Sequence, residues 1–431
     1  MQKTIQNYVL ENWNRLFEGR PKPGSLSTLQ ITRSHGKEYR FGRIVHLLFG
    51  EGSETPAVAA RFCRDSSYEG YLKEEAGLMK GLMTTGAGRY LPAVLDMPVI
   101  GGRTVMVESA AMGLPMSVLA EGARQRMKED AFRGLVAGHM ETAAVFLKEL
   151  RTSTVAEAPA AGAGLWDETG GILSRYVKMF GLTGPEEYAI FGLGRAVEAL
   201  SGEDAPMYVI HSDYTPSNIF LDAGGGVKVI DWEFSRRGRL GFMDTMRFVY
   251  YYFKLLQKAG AVGKDAFHET FVKGEGWYYD LALRFAMDVE GERAREGFHD
   301  MLAFFLVNEA CLQAEVVGWA TLGIQYVQPV RDLVNSLTGH DYLRDKAITE
   351  RDNVIAEKDR LLAYKDKVIT ENGRSVAARD ETIRARNAAI SGCQAKVAGL
   401  EQELAGVYGS KSWRLTYPLR WVSARSKGQK S

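Results

Sequence analysis

His211-Ser-Asp-Tyr-Thr-Pro-Ser-Asn218-Ile-Phe-Leu221 is followed, one glycine-rich turn later, by Val229-Ile-Asp231-Trp-Glu233. Three short apolar runs frame these polar positions: MYVI (207–210), NIFL (218–221) and VKVI (227–230). The spacing predicts a strand-loop-strand unit, with Asp222-Ala-Gly-Gly-Gly226 as the turn between the last two strands. The triple glycine is not a phosphate loop, because no Lys-Ser/Thr follows it. Polar residues at strand ends are how a rigid scaffold usually presents catalytic groups. Asp213 and Asn218 share one loop, and the hairpin brings Asp231 to them. A carboxylate and an amide oxygen suit Mg²⁺, which completes its shell with water and phosphate oxygens. A further carboxylate can accept the proton of an attacking hydroxyl. That is the division of labour that phosphoryl transfer requires.

Working outward, residues 1–110 mix short strands with glycine turns. Ser27–Thr32, Tyr39–Phe49 and Pro56–Phe62 read as an antiparallel meander, and Tyr68–Met83 as a helix with one apolar face. Strands near Ala93–Ile100 and Arg103–Val107 follow, with Gly101-Gly102 between them. Residues 111–340 are largely helical, with Asp130–Leu150 and Glu186–Leu200 as the firmest helices. Residues 341–408 carry an apolar residue every seventh position, Ile348, Ile355, Leu362, Ile369, Val376, Ile383, Ile390, Val397 and Leu404. Such a register is a coiled-coil pattern and implies a homo-oligomer. The second seam is polar, with Arg351, Lys358, Lys365, Asn372, Arg379, Arg386 and Cys393. About 60 helical residues would make a rod of roughly 90 Å.

The whole chain has 431 residues, 54 Lys+Arg against 53 Asp+Glu, and a net charge of +1. That balance gives no global case for nucleic acid, so none is expected as a partner. Three cysteines, Cys63, Cys311 and Cys393, are too scattered for a disulfide framework or a CxxC metal site. The apolar stretch 301–327 is interrupted by Glu309, Gln313 and Glu315 and reads as buried helix rather than a membrane span. The N-terminus lacks the apolar run of a signal peptide, so a cytoplasmic protein is expected. Residues 409–431 differ: Lys411, Arg414, Arg420, Arg425, Lys427 and Lys430 interleave with Trp413, Leu415, Tyr417, Leu419 and Trp421. This mixture suits an anionic membrane surface, here the inner face of the cytoplasmic membrane.

The segment 211–233 resembles the catalytic core of the aminoglycoside phosphotransferase and choline kinase group, within the protein-kinase-like fold. The family pattern is met by His211, Asp213, Asn218, Ile230, Asp231, Trp232 and Glu233. The resemblance implies an α+β, two-lobed fold that uses ATP and Mg²⁺. Asp213 would be the catalytic base or hydroxyl-orienting group, His211 a brace for the loop, and Asn218 and Asp231 the metal ligands. Asp244 matches the acid that opens the next helix and ties back to the loop. Ser212 replaces the usual glycine, a small-for-small change expected to cost little. Val58-Ala-Ala-Arg61-Phe-Cys-Arg64-Asp65 and Leu72-Lys-Glu-Glu75 resemble the strand and helix that supply the phosphate-binding cation and its glutamate. The usual lysine falls on Arg61, a departure, since a guanidinium is not a steric copy of an ammonium. Ser34 and Gly36, in the Ser-His-Gly-Lys turn, would lie over the phosphates. Met106–Gly113, with Glu108, resembles the hinge whose backbone binds adenine.

An acceptor would lie between the catalytic loop and the helices after Asp244, near Arg236, Arg237, Arg239, Arg247, Tyr250–Phe253 and Trp277–Tyr279. The basic run disfavours a polycationic aminoglycoside; the tyrosines could cage a choline or stack on a sugar. The tail motif Ser-Lys-Ser-Trp-Arg-Leu-Thr-x-Pro-Leu-Arg resembles tails of bacterial polysaccharide glycosyltransferases. With head, coil and basic tip together, the chain resembles the O-antigen chain-terminating kinases. The resemblance implies a sugar or glycan acceptor in surface-polysaccharide or lipopolysaccharide synthesis, and a glycosyltransferase or anionic-membrane partner for the tail. The alternatives are a kinase for free choline or an aminoglycoside, and a catalytically inactive scaffold.

Overall fold

A computed structural model describes residues 1–32, 42–156, 165–182, 184–202, 205–317, 324–338 and, apart from 382, 385 and 389, 380–406. These fall into two units, Met1–Leu343 and Arg344–Ser431.

The first unit opens on two helices not anticipated above, α1 (Gln2–Glu11) and α2 (Trp13–Leu16). Ile5, Val9 and Trp13 recur every fourth residue, and with Leu16 and Phe17 they form one buried face. That face packs on one side of a five-stranded antiparallel sheet, against Leu48, Val58, Ala60 and Val107. The sheet runs β1-β2-β3-β7-β4, from β1 (Leu26–Thr32), β2 (Arg43–Gly50), β3 (Pro56–Cys63), β4 (Val94–Asp96) and β7 (Met106–Ser109). β5 (Val99–Ile100) and β6 (Arg103–Thr104) form a separate hairpin, with Gly101 and Gly102 at φ 58° and 76°. The short strands expected near 93–100 and 103–107 are therefore each broken in two. Pro98 explains the first break: it has no N–H for a ladder, and its carbonyl accepts from Val105 N instead. The expected strand 39–49 is described only from Arg43.

Period-two alternation on β3 sends Val58, Ala60 and Phe62 to the helix-covered face and Arg61 and Cys63 to the other. Helix α3 (Glu69–Leu82) covers that second face through Leu72, Ala76 and Met79, all buried, and brings Glu75 with them.

After the short strand β8 (Leu114–Pro115) the chain is helical: α4 (Met116–Arg124), α5 (Glu129–Thr154), α6 (Leu165–Phe180) and α7 (Pro185–Ser201). The strand-loop-strand segment follows, with β9 (Tyr208–Ile210), β10 (Ile219–Leu221), β11 (Val227–Val229) and β12 (Arg236–Gly238). β10 and β11 make the expected hairpin; Asp222 Oδ1 closes its turn by accepting from Gly224 N and Gly226 N, both at 2.8 Å. β8 joins that hairpin, while β9 pairs with β12. Gly113, at φ 92°, lets β8 in: a Cβ there would lie 2.0 Å from Leu221 O. Then come α8 (Phe242–Lys258), a π-helical turn at His268–Val272, α9 (Trp277–Glu290), α10 (Arg293–Val317) and α11 (Ile324–Thr338). Their core includes Phe146, Tyr214, Trp232, Phe248, Tyr252 and Phe304 and is continuous with the buried face of α3. The architecture is α+β and two-lobed. Among the described residues no helix is long and apolar enough to cross a membrane.

In the second unit the described residues of 380–406 are helical, and Ile383, Ile390, Val397 and Leu404 are each more than half exposed. The earlier heptads and the basic tail lie outside the described residues.

Candidate active site

The loop from His211 to Asn218 is pinned at both ends. Asp244, buried in the first turn of α8, accepts from His211 N at 2.6 Å and from Ser212 N at 2.9 Å. A carboxylate is favoured there by the helix dipole. Ser212 sits at φ 64°, a left-handed backbone that costs an L-residue roughly 1 kcal/mol. Serine for glycine is thus not the small-for-small exchange expected, and the two bonds to Asp244 hold the strained residue in place.

His211 is fully buried. Its Nε2 lies 3.0 Å from Ile230 O, and Asp213 N donates to its Nδ1 at 3.2 Å. The ring is therefore a neutral tautomer, with Nδ1 accepting and Nε2 donating, and burial lowers its pKa. It packs on Trp232 with centroids 4.5 Å apart. Both nitrogens are spent on the scaffold, so His211 braces the loop against the end of β11.

Asn218 Nδ2 donates to Asp213 O at 2.9 Å and to Asp213 Oδ2 at 2.8 Å, which fixes that carboxylate. The backbone of Asn218 accepts from Ile230 N at 2.9 Å, and this joins the loop to the residue before Asp231. Asp231 itself is held at φ 69°. The Asp213 carboxyl, 27% exposed, is pushed up to about 7. Burial raises it, Arg247 offsets part of the rise, and Asp231 adds to it.

Arg61, on β3, is enclosed by acids. Nη2 donates to Glu75 Oε1 at 2.9 Å and Glu108 Oε2 at 3.0 Å, while Nε lies 2.9 Å from Glu108 Oε1. Burial opposes the charge, but Glu108 and Glu75 more than offset it and hold the pKa above the ordinary arginine value. Nη1 makes no hydrogen bond to the described residues. Glu108 is thus not a hinge residue facing adenine. Period-two alternation on β7 turns its side chain inward to Arg61, and its backbone lies within the sheet, between β3 and β4. The next amides are also engaged, Ser109 N with Ala93 O and Ala110 N with Ala57 O. A backbone hinge would have to begin after Ala110. Ser34 and Gly36 lie outside the described residues.

A second buried cluster lies beside Asp213, between α8 and α10. Arg247 Nη2 lies 2.7 Å from Glu309 Oε2, and its Nη1 is 3.9 Å from Asp213 Oδ1. Glu309 Oε1 accepts from Tyr251 OH at 2.7 Å and Gln313 Nε2 at 2.8 Å. Glu309 interrupts an apolar run in the sequence, and a fully buried carboxylate demands a partner; that was the available signal for Arg247. The rest of the expected acceptor wall is otherwise employed. Tyr250, Tyr252, Phe253 and Tyr278 are core residues and form no cage. Arg236 pairs with Glu168 at 2.8 Å, and Arg237 donates to Thr154 O.

Asn218 Oδ1 is buried and has no hydrogen-bond partner among the described residues. An orphaned amide oxygen, with Asp231 on the adjoining segment, fits a hard cation. Around Arg61 the charges point the same way. Four carboxyl groups, Glu75, Glu108, Glu233 and Asp231, meet two guanidiniums, Arg43 and Arg61; burial, with Asp231 beside it, pushes Glu233 up to about 8, and burial raises Glu108 as well. Among the described residues no group of three or more His, Cys, Asp and Glu could hold a metal unaided. Mg²⁺ needs none where water and phosphate oxygens complete its shell.

A strand-borne cation paired with a helix-borne glutamate, with Asp213 and Asn218 on one loop and Asp231 on the adjoining segment, resembles the arrangement of a protein-kinase-like fold. Among solved structures the chain is similar to a thermostable mutant of aminoglycoside phosphotransferase APH(4)-Ia, at 14% identity and a TM-score of 0.47, covering 78% of this chain and 100% of that one. It is also similar to a glucosamine kinase, at 12% identity and TM-score 0.43, covering 75% and 83% of the two chains. A third likeness is to the choline kinase LicA from Streptococcus pneumoniae, at 12% identity and TM-score 0.43, covering 78% and 99%. These are likenesses of architecture alone. No protein-family model matches the chain, and no curated protein matches it in sequence.

Proposed function

We propose that the chain is a phosphotransferase that passes the γ-phosphoryl group of ATP to a sugar hydroxyl during assembly of a bacterial surface polysaccharide. One observation carries the chemistry: Asn218 fixes the Asp213 carboxylate with its amide nitrogen and keeps its amide oxygen unpartnered for a cation. Asp213 orients the acceptor hydroxyl and takes its proton as the new O–P bond forms and the bond to the ADP oxygen breaks. A pKa near 7 suits a base that must be ionised yet still able to accept that proton. Asn218 and Asp231 would hold Mg²⁺, which supplies charge neutralisation on the phosphates. Arg61 steadies the nucleotide through Nη1, the nitrogen its two carboxylates leave over.

The sugar acceptor is supported by the tail motif and by burial of the tyrosines that a choline cage would need. The coil would join copies of the chain through the stripe of Ile383, Ile390, Val397 and Leu404. The basic tip would seek a glycosyltransferase or an anionic membrane. Deleting residues 341–431 tests this: a free-metabolite kinase keeps its cellular role without them, and a polysaccharide kinase loses it. A scaffold reading has one observation in its favour, since two carboxylates enclose Arg61 where the family pattern has one. Asp213→Ala separates the readings, because a scaffold tolerates it and a phosphotransferase does not.

A further inference from the structure

The ion pairs around Arg61 do not end at Glu75. Glu75 Oε2 also forms a short ion pair with Arg43 Nη1, and Arg43 Nε lies 3.0 Å from Glu233 Oε2. The result is an unbroken row of alternating charge: Glu108, Arg61, Glu75, Arg43, Glu233. It starts on β7, passes through β3, α3 and β2, and ends two residues beyond Asp231. Its last link crosses between the lobes, because Arg43 belongs to the N-terminal sheet and Glu233 to the segment that carries Asp231. Register brings Arg43 there. Arg43 pairs with Cys63 and Val45 with Arg61, so all four project from the same face of the sheet. Arg43, Glu75 and Glu233 also line a cavity of about 400 Å³ between α3 and Trp232–Ser235.

We propose that Arg43 is a positioning residue that latches the two lobes and sets Glu75, and through it Arg61, for the nucleotide phosphates; this rests on the phosphotransferase reading. Without Arg43, the Glu75 and Glu233 carboxylates face each other beside Asp231 with no cation between them, and the lobes lose a direct contact. Arg43 and Glu233 are each only 10% exposed, so water screens that repulsion poorly. The guanidinium is required because it meets its two carboxylates along different N–H directions, which one ammonium does not reproduce.

The test is calorimetry of the full chain with Mg·ADP, together with amide hydrogen exchange of the nucleotide-free protein. The variants are Arg43→Lys, Arg43→Met, Glu233→Gln and the double Arg43→Met/Glu233→Gln. Arg43→Met is expected to weaken Mg·ADP binding about tenfold, with Arg43→Lys and Glu233→Gln each about threefold. The double variant is expected to be no worse than Arg43→Met, and exchange should rise together in α3 and in residues 231–235. If Arg43→Met fails to fold, Arg43→Lys takes its place in the cycle. Additive losses, wild-type affinity in Arg43→Met, or faster exchange confined to β2 would each overturn the proposal. A wild type that takes up no Mg·ADP would sink the phosphotransferase reading, and the exchange arm alone would then decide the latch.

Discussion

Two buried ionic clusters flank the loop from His211 to Asn218, and they are built on opposite plans. The phosphate-side row draws its five members from β2, β3, α3, β7 and the segment after Asp231, and its acids outnumber its bases. The acceptor-side cluster comes from two packed helices, α8 and α10, where Arg247 answers Glu309 and two neutral groups complete the carboxylate. The second is closed within the protein. The first has more carboxyl groups than guanidiniums, and burial raises the Glu108 and Glu233 carboxyls, while the orphaned Asn218 oxygen lies on the same loop as Asp213. On the proposed reading, a cation and phosphates would complete the first cluster, and the second would support Asp213.

Breaking the clusters separately sharpens that contrast. Asp213→Ala, at the junction, has the largest expected effect: turnover falls by about 10²–10⁴-fold while Mg·ATP binding is retained, as a pair of kinetic and calorimetric measurements would show. Arg61→Met comes next, because it strands Glu108 in the interior and leaves Glu75 with Arg43 alone. A loss of about 3–5 kcal/mol in denaturant unfolding is expected, together with loss of nucleotide binding. Glu309→Gln leaves Arg247 without its carboxylate but keeps partners for Tyr251 and Gln313. A loss of about 2–3 kcal/mol with nucleotide affinity intact is expected. Nucleotide binding lost in Glu309→Gln would show that the two clusters act as one.

A smaller effect is set by pH. His139 is buried against Tyr252 OH at 2.7 Å, and burial pushes its pKa down to about 4. The unfolded chain takes up the proton first, near pH 6.5, so the contribution of neutral His139 is complete above that pH. Stability is lost as pH falls from about 6.5 toward 4, by about 1.4 kcal/mol per unit. His211 and His299 shift in the same direction. The check is therefore the difference in slope between wild type and His139→Gln, whose unfolding midpoint should depend less on pH. Smallest is Ser212→Gly, which relieves the positive φ and should raise stability by about 1 kcal/mol in the same assay. A loss instead would mean that the serine side chain has a role of its own.

The motif residues were legible because the sequence places them within a few positions of one another. Asp213, Asn218 and Asp231 lie on one strand-loop-strand unit, and the turn chemistry of Asp222–Gly226 announces the hairpin. Arg61 and Glu75 were legible through the strand and helix that flank them. Arg43 was not, since its partners lie 32 and 190 residues away and only sheet register brings them together. Glu108 was misplaced for a related reason: reading 106–113 as a hinge ignores the two-residue period that turns its side chain to Arg61. The tyrosine run looked like a binding surface because composition does not say which face of α8 is buried. The N-terminal helices went unread although Ile5, Val9 and Trp13 carried the period. Ser212 shows the limit of matching by size, because the constraint is on φ and not on volume.

The central claim is that this site holds a magnesium nucleotide and transfers from it. The most direct measurement is Mg²⁺-dependent ATP binding and slow hydrolysis by the full chain, wild type beside Asp231→Ala. Binding and turnover that both need Mg²⁺, and that both fail in Asp231→Ala, are the predicted result. A wild type that binds no nucleotide with Mg²⁺ present would contradict the account and leave a folded scaffold in its place.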